Sequence, residues 1–381
     1  MRKWKQISAC CLAAVLAVGA PAGTAYAGSP EFARTAEEWA RLRDNVMEYD
    51  ELAGLIHEYN VTVQNNQRDY NEKKNKTSED MAQDYRDAAD ALRSSLTGGD
   101  DPMSLINDLN TESSARNLEE QADKNVDDSE ILKMGYDQTE ATLVSSAQAN
   151  MVAYHQKVLE LELKKKQKEL LDATYNSVLV KQSAGMATQM DVLTAQENML
   201  NGEVAILAAQ ADLDNTKQKL CVMLGWKFDA SPEIREIPAA DMARISAMNP
   251  AVDLAAALEN NYTLRMNRKK YDNATGTNIK DNLQDTIKNN EQKIGNSLNG
   301  AYQGVLEAKN TYDQAAAAFA VESKNMEAAD RKMQIGAISR LEYLNQQYTY
   351  QEKETNLKIA DMKLFQAMET YDWTVKGLAD T

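Results

Sequence analysis

Two acidic residues, Asp191 and Glu342, stand out for chemistry because each follows a hydroxyl residue by three positions inside one short pattern. The two stretches are Gly185-Met186-Ala187-Thr188-Gln189-Met190-Asp191 and Gly336-Ala337-Ile338-Ser339-Arg340-Leu341-Glu342, placed 151 residues apart. A hydroxyl-x-x-acid spacing is a capping box, in which each side chain accepts a hydrogen bond from the other residue's backbone N–H at the start of a helix. The glycine three residues before the hydroxyl is suited to close the previous helix in the left-handed conformation. Ala187 with Val192, and Ile338 with Tyr343, occupy the positions of a hydrophobic staple. The chemistry of this spacing is therefore a stop followed by a start, and both acids lie where a helix N-terminus favours negative charge.

Other reactive side chains form no constellation. His57 and His155 lack Cys, His or Asp companions at ligand spacing, so the sequence predicts no metal site. Lys164-Lys165-Lys166 reads as a solvated helix face. No phosphate loop, nucleophile motif or acid pair is present, and an enzyme with a cofactor is not expected.

The elements that must hold the two turns are long helices. Proline falls at 21, 30, 102, 232, 238 and 250 only, which leaves residues 103 to 231 and 251 to 381 without a backbone position lacking its donor. Apolar residues recur at helical spacing from Leu143 through Ala147, Met151, Tyr154, Val158 and Leu161 to Leu171, Tyr175 and Val178. A helix from 136 to 184 would run about 73 Å, too long for a compact domain, and must pack sideways on other long helices. Leu193, Leu200, Val204, Leu207 and Ala211 form the stripe expected to return along it. The pattern recurs with Val305, Tyr312, Ala316, Phe319, Met326 and Met333 before Gly336, and Leu341, Leu344, Tyr348, Met362, Phe365 and Met368 after it. Upstream, Glu58 to Asn71 aligns with Glu259 to Asn273, pairing Asn60 with Asn261, Thr62 with Thr263 and Tyr70 with Tyr271.

These signals predict an all-α fold of two tandem long antiparallel helical hairpins. Residues 28–228 make repeat 1, with its turn at 185–191 and an insertion at about 72–129. A proline-containing linker covers 229–250, and repeat 2 covers 251–381 with its turn at 336–342. The insertion is expected as two short helices broken at Ser95 to Leu105. A lone pair of hairpins buries little, so association into a larger bundle is expected.

At the N-terminus Arg2, Lys3 and Lys5 precede an apolar run and Ala25-Tyr26-Ala27, the form of a secretory signal peptide over 1–27. Cys10 does not fit lipidation, since the apolar run follows it. Cleavage would remove three of 42 basic residues and none of 58 acidic ones, taking the formal charge from −16 to −19 and arguing against nucleic acid as a partner. Cys221 would then be the sole cysteine, read as a buried structural thiol rather than half of a disulfide.

A long helix ending in Gly-x-x-[Ser/Thr]-x-x-[Asp/Glu]-x-Leu, a return helix closing on Leu224-Gly225, and duplication of the whole unit together resemble the TolC-like outer-membrane efflux proteins. The resemblance implies a homotrimeric helical tunnel whose tips dock a periplasmic adaptor (membrane-fusion) protein coupled to an ABC- or RND-type pump. Carried over residue by residue, the docking tips would be Gly185, Met186, Ala187, Thr188, Gln189 and Asp191 with Gly336, Ala337, Ile338, Ser339, Arg340 and Glu342. Glu342 would also carry the charge at the tunnel entrance, while Asn345 stands where a second carboxylate ring would lie. The chain departs from the family at the gate, with Met333 and Ile338 in place of a tyrosine and an arginine. It departs again where the family inserts barrel hairpins, because Asn273 to Gln303 is polar and helix-like, which argues against direct membrane insertion. The place implied is the cell envelope, periplasmic or outer-membrane associated, after export across the inner membrane. The other reading open to the sequence is a structural or adhesive coiled-coil protein of the envelope.

Overall fold

The computed structural model describes residues 34–381, and the expected signal peptide lies outside them. The chain builds twelve α-helices and a two-residue strand pair in the order α1 (Ala36–Leu42), β1 (Val46–Met47), α2 (Leu52–Tyr59), α3 (Val61–Lys73), α4 (Ser78–Ser94), α5 (Pro102–Lys124), α6 (Ser129–Ser183), α7 (Gln189–Met223), β2 (Glu233–Ile234), α8 (Met242–Ala247), α9 (Pro250–Asn260), α10 (Tyr262–Asn273), α11 (Thr277–Gln334) and α12 (Arg340–Trp373). The fold is the all-α pair of long helical hairpins that the periodicity predicts. Among the described residues the strand pairing is the parallel ladder of β1 on β2, Val46 opposite Glu233 and Met47 opposite Ile234, which ties the N-terminal segment to the linker. Two residues per strand are too few to leave a periodic signal.

α6 and α11 contain 55 and 58 residues, or roughly 83 and 87 Å of helix. α7 returns along α6, α12 returns along α11, and α12 also lies along α6, giving the lateral order α7, α6, α12, α11. The face of α7 turned to α6 is not the stripe expected from the sequence. Val192, Ala195, Leu213, Thr216 and Leu220 are the buried residues of α7 on a strict three-four repeat, whereas Leu193, Leu200, Val204 and Leu207 are about half to two-thirds exposed. Gly202 falls on the inner repeat, and a Cβ there would stand 2.8 Å from Leu171 Cδ1, a contact the leucine side chain could relieve by moving. The two candidate faces lie on nearly opposite sides of α7, about 160° apart at 100° per residue, and periodicity alone cannot choose between them.

The core gathers at the end of the bundle remote from the two turns. One cluster joins Leu52, Leu55 and Ile56 of α2 to Met151 and Val152 of α6, Leu220 and Leu224 at the end of α7, and Phe365 of α12. The other joins Ala257 and Leu264 to Ile294, Leu298 and Val305 of α11 and Leu364, Met368 and Tyr371 of α12. Cys221 is buried at the same end, and burial pushes its thiol up.

Asn60 and Asn261, matched in the sequence, do the same work twice. Asn60 stands between α2 and α3; its Oδ1 accepts from the Thr62 and Val63 N–H groups at 2.9 and 3.3 Å, and its Nδ2 donates to the Met223 carbonyl at 2.8 Å. Asn261 stands between α9 and α10, accepts from Leu264 N–H at 2.9 Å, and donates to the carbonyls of Gly377 and Ala379 at 3.2 and 3.0 Å. Each asparagine caps a short helix and holds the end of a long return helix. Glycine completes both latches: Gly225 (φ 81°) and Gly377 (φ 120°) let the chain pass so close that a Cβ would lie 2.6 Å from the Tyr59 carbonyl oxygen and 2.5 Å from that of Asn260.

Between α3 and α6 the insertion is a two-helix arm, α4 and α5, joined through a narrow neck. Ser129 N–H donates to the Lys76 carbonyl at 3.0 Å, and Asn125 Nδ2 donates to the Ser78 carbonyl at 2.7 Å. Buried Ala82, Ala89, Ala115 and Ala122 let α4 and α5 approach closely, and Arg93 bridges Glu112 and Glu119 across them. The corresponding joint between α10 and α11 spans only residues 274–276.

Asn261→Ala strands two carbonyls and an N–H in a buried site, and each lost partner costs about 1–3 kcal/mol. Urea unfolding is expected to show destabilisation of about 2–4 kcal/mol; a loss below about 0.5 kcal/mol would match an ordinary surface change and refute the latch.

Candidate functional site: the twin helical bends

Both bends are built by hydrogen bonds local to the chain. At the first, Met186 N–H donates to the Lys181 carbonyl at 2.8 Å and Gly185 N–H to that of Gln182 at 2.9 Å. At the second, Ala337 N–H donates to the Lys332 carbonyl at 2.8 Å and Gly336 N–H to that of Met333 at 3.1 Å. These are paired Schellman closures, and Gly185 and Gly336 have φ of 71° and 70°. Thr188 and Ser339 then cap α7 and α12. Thr188 N–H donates to Asp191 at 2.7 Å while Asp191 N–H donates to Thr188 Oγ1 at 3.2 Å. Ser339 and Glu342 repeat the exchange at 2.7 and 3.2 Å.

The acids are accordingly engaged in architecture. Both titrate below their ordinary range, first because each accepts a backbone N–H and second because each accepts the neighbouring hydroxyl. The same box, with the same downward shift, occurs at Thr35 with Glu38 and at Thr77 with Asp80, far from either bend. The box alone is thus no functional mark.

What distinguishes the bends is their common position and their apolar exposure. Lys166, Glu169 and Leu170 of α6 share one cleft with Met326 of α11 and Leu344, Gln347, Tyr348 and Gln351 of α12. These residues lie 2 to 19 positions from the bends at 185–191 and 336–342, so both hairpins fold back at the same end. All the residues read from the sequence as tips are gathered there: Gly185 to Asp191 at one bend and Gly336 to Glu342 at the other. Val180, Met186, Met190 and Ile335 are about 70–80% exposed around them. Val180, Met190 and Ile335 are absent from the sequence-derived set: Val180 and Ile335 flank the turn pattern, and Met190 lies inside it.

The bends differ in bracing. At the second, Tyr343 Oη donates to Asp330 at 2.7 Å across the hairpin, and the Arg340 guanidinium stands 5.9 Å from the Tyr343 ring. At the first, Gln182 Nε2 donates to Gln189 Oε1 at 2.6 Å. Glu322, missed in the sequence, is buried between α11 and α12 and accepts from Gln346 Nε2 and, at 3.1 Å, from Asn325 Nδ2. The histidines are spent elsewhere: His57 pairs with Glu140 at 2.8 Å and His155 Nε2 lies 2.8 Å from the Arg235 carbonyl. No group of three or more His, Cys, Asp or Glu able to hold a metal occurs among the described residues.

No protein-family model matches the chain, and no curated protein matches its sequence. Solved structures match its fold. The outer-membrane channel OprN superposes with a TM-score of 0.53 at 12% identity, covering 89% of this chain and 92% of its own. The Campylobacter jejuni CmeC outer membrane channel gives 0.50 at 11% identity over 90% and 88%. The Vibrio cholerae outer membrane protein VceC gives 0.50 at 11% identity over 90% and 99%. At such identities the likeness is one of fold: the chain adopts the TolC-like hairpin architecture that its paired bends resemble.

The depressed acids give the bends a pH dependence. Their stabilisation is fully present above the ordinary carboxyl values of 3.8 for Asp191 and 4.5 for Glu342, and is lost as pH falls through the lowered folded values. Asp191→Ala is expected to lower the urea midpoint by a constant amount from pH 7 to 5, with the gap narrowing below pH 4. A gap unchanged at pH 3 would contradict the charged cap.

Proposed function

We propose that the chain is one protomer of an oligomeric efflux conduit of the cell envelope, exported across the inner membrane, which docks an adaptor protein and its pump through the paired bends. The observation that carries this reading is the outer face of α7. Leu193, Leu200, Val204 and Leu207 form an exposed seam on the side of α7 roughly opposite the repeat packed on α6. A helix with apolar seams on two nearly opposite sides asks for a neighbour on each, and in the order α7, α6, α12, α11 it has only one.

The opposite edge of the row offers a fitting surface. On α11, Ala317, Ala318 and Ala320 are exposed, and a Cβ at Gly300 or Gly304 would meet nothing within 4 Å. Leu207 lies 19 residues after Thr188 and Ala317 lies 19 before Gly336, so bulky and small residues stand at one height from the bends. Seating α7 of one copy on α11 of the next is a heterologous contact, which closes into a ring when the rotation permits. The resemblance to TolC-like channels favours three copies. Such a ring collects every bend at one rim, where Met186, Met190 and Ile335 supply apolar contacts for an adaptor and Arg340 supplies a cation. The pump is of the ABC or RND type in this reading, and the conduit itself conducts by shape and wall charge. No residue of it need act as a catalyst.

Leu200→Glu with Leu207→Glu is expected to convert the oligomer to monomer by light scattering while the helical circular dichroism stays unchanged. A wild-type chain that is monomeric at every concentration would instead support the envelope spacer.

A further inference from the structure

The free end of the α4–α5 arm carries an apolar face that no described residue covers. Leu96, Met103, Leu105, Ile106 and Leu109 are all exposed, from 38% at Leu96 to 70% at Leu109, and α4 and α5 pack chiefly on each other. At 100° per residue the four on α5 fall within about 160° of arc, opposite the Ser104, Asp108, Thr111 and Ala115 face that meets α4. We propose that this end of the arm dips into the interface of a zwitterionic phospholipid bilayer, as a peripheral anchor independent of the bends and of any adaptor.

Three features choose lipid over a second copy of the chain. First, the apolar face stops after two turns. Along the same side it gives way to Asn110, Ser113, Arg116 and Glu120, so its length along the helix is about 10 Å. A seam between arms would run the length of the helices, whereas interfacial insertion reaches only about 5–10 Å. Second, the tip separates its polar groups from that face. Asp108 accepts from Thr97 and Gly98 N–H at 3.0 and 2.9 Å, and Asp101 accepts from Met103 and Ser104 N–H at 3.1 and 3.0 Å, which folds both carboxylates into the loop. Third, residues 94–115 contain no lysine or arginine but include Asp100, Asp101, Asp108 and Glu112. Electrostatics thus disfavour an anionic surface and leave apolar burial as the driving force. No described helix is long and apolar enough to cross a membrane, so the contact is peripheral.

The test uses the chain without residues 1–27, which hold the apolar run of the expected signal peptide and Cys10 and Cys11, with phosphatidylcholine vesicles. The wild type is expected to float with them, and Leu105→Asp with Leu109→Asp to lose flotation while its circular dichroism is retained. An environment-sensitive dye on Leu105→Cys should brighten and shift to the blue on adding vesicles, whatever the protein concentration; Cys221 is buried and stays unlabelled. Absence of flotation, or flotation untouched by the double substitution, would overturn the proposal. So would a dye shift that grows with protein concentration in vesicle-free buffer, which assigns the face to a second copy, or binding confined to phosphatidylglycerol vesicles.

Discussion

A helix of 55 or 58 residues can bury a face only against another helix lying beside it, and that constraint governs the whole molecule. Side-by-side packing fixes lateral order but resists sliding poorly, because a three-four repeat looks alike after every seven residues. Register must come from the ends. At one end the glycine reversals permit a single return path. At the other, Asn60 and Asn261 hold the carbonyls of Met223, Gly377 and Ala379, so each return helix is fastened to the short helices beneath it. Arg244 adds a clamp on α12, reaching Glu369 and Asp372 at 2.8 and 2.7 Å, and the Trp373 indole N–H donates to Gln148 of α6 at 2.7 Å.

The parts of this arrangement that a sequence discloses are those made by neighbours in the chain. Gly185, Thr188 and Asp191 act within seven residues, so their spacing carries their function, and the second bend repeats it. The asparagines were visible as a matched pair, yet their role was not, because their partners lie 163 and 116 residues away. The face of α7 posed a different difficulty. Leu193, Leu200, Val204 and Leu207 are larger and more apolar than Ala195 and Thr216, so hydrophobicity points to them as the inner face. On the inner face Val192, Leu213 and Leu220 are interspersed with the smaller Ala195, Gly202 and Thr216, which dilutes its apolar signal. The candidate site was legible at the reversals themselves and silent at their flanks, where Val180 and Ile335 stand exposed with no local pattern to mark them.

The two hairpins are alike at the bends and unlike at the far end. There α3 leads through the arm into α6, while α10 turns into α11 over residues 274–276. The joints nevertheless touch: Asn273 Nδ2 donates to the Val126 carbonyl and to Asp128 at 2.9 and 2.8 Å, and Lys270 pairs with Asp127 at 3.0 Å. The arm is therefore rooted in both halves at once. The result is a chain with two different poles, one closed by paired glycines and one extended by an arm.

Spin labels at Ala187 and Ala337 of one chain, in dilute mixture with unlabelled protein, read the central claim directly through pulsed electron resonance. Hairpins lying side by side with their bends at one end, each helix about 8–10 Å from its neighbour, put the labels roughly 20–30 Å apart. A distance of about 50 Å or more, the length of α7, would mean that the bends point to opposite poles and that neither a shared docking rim nor a conduit can be built from this chain.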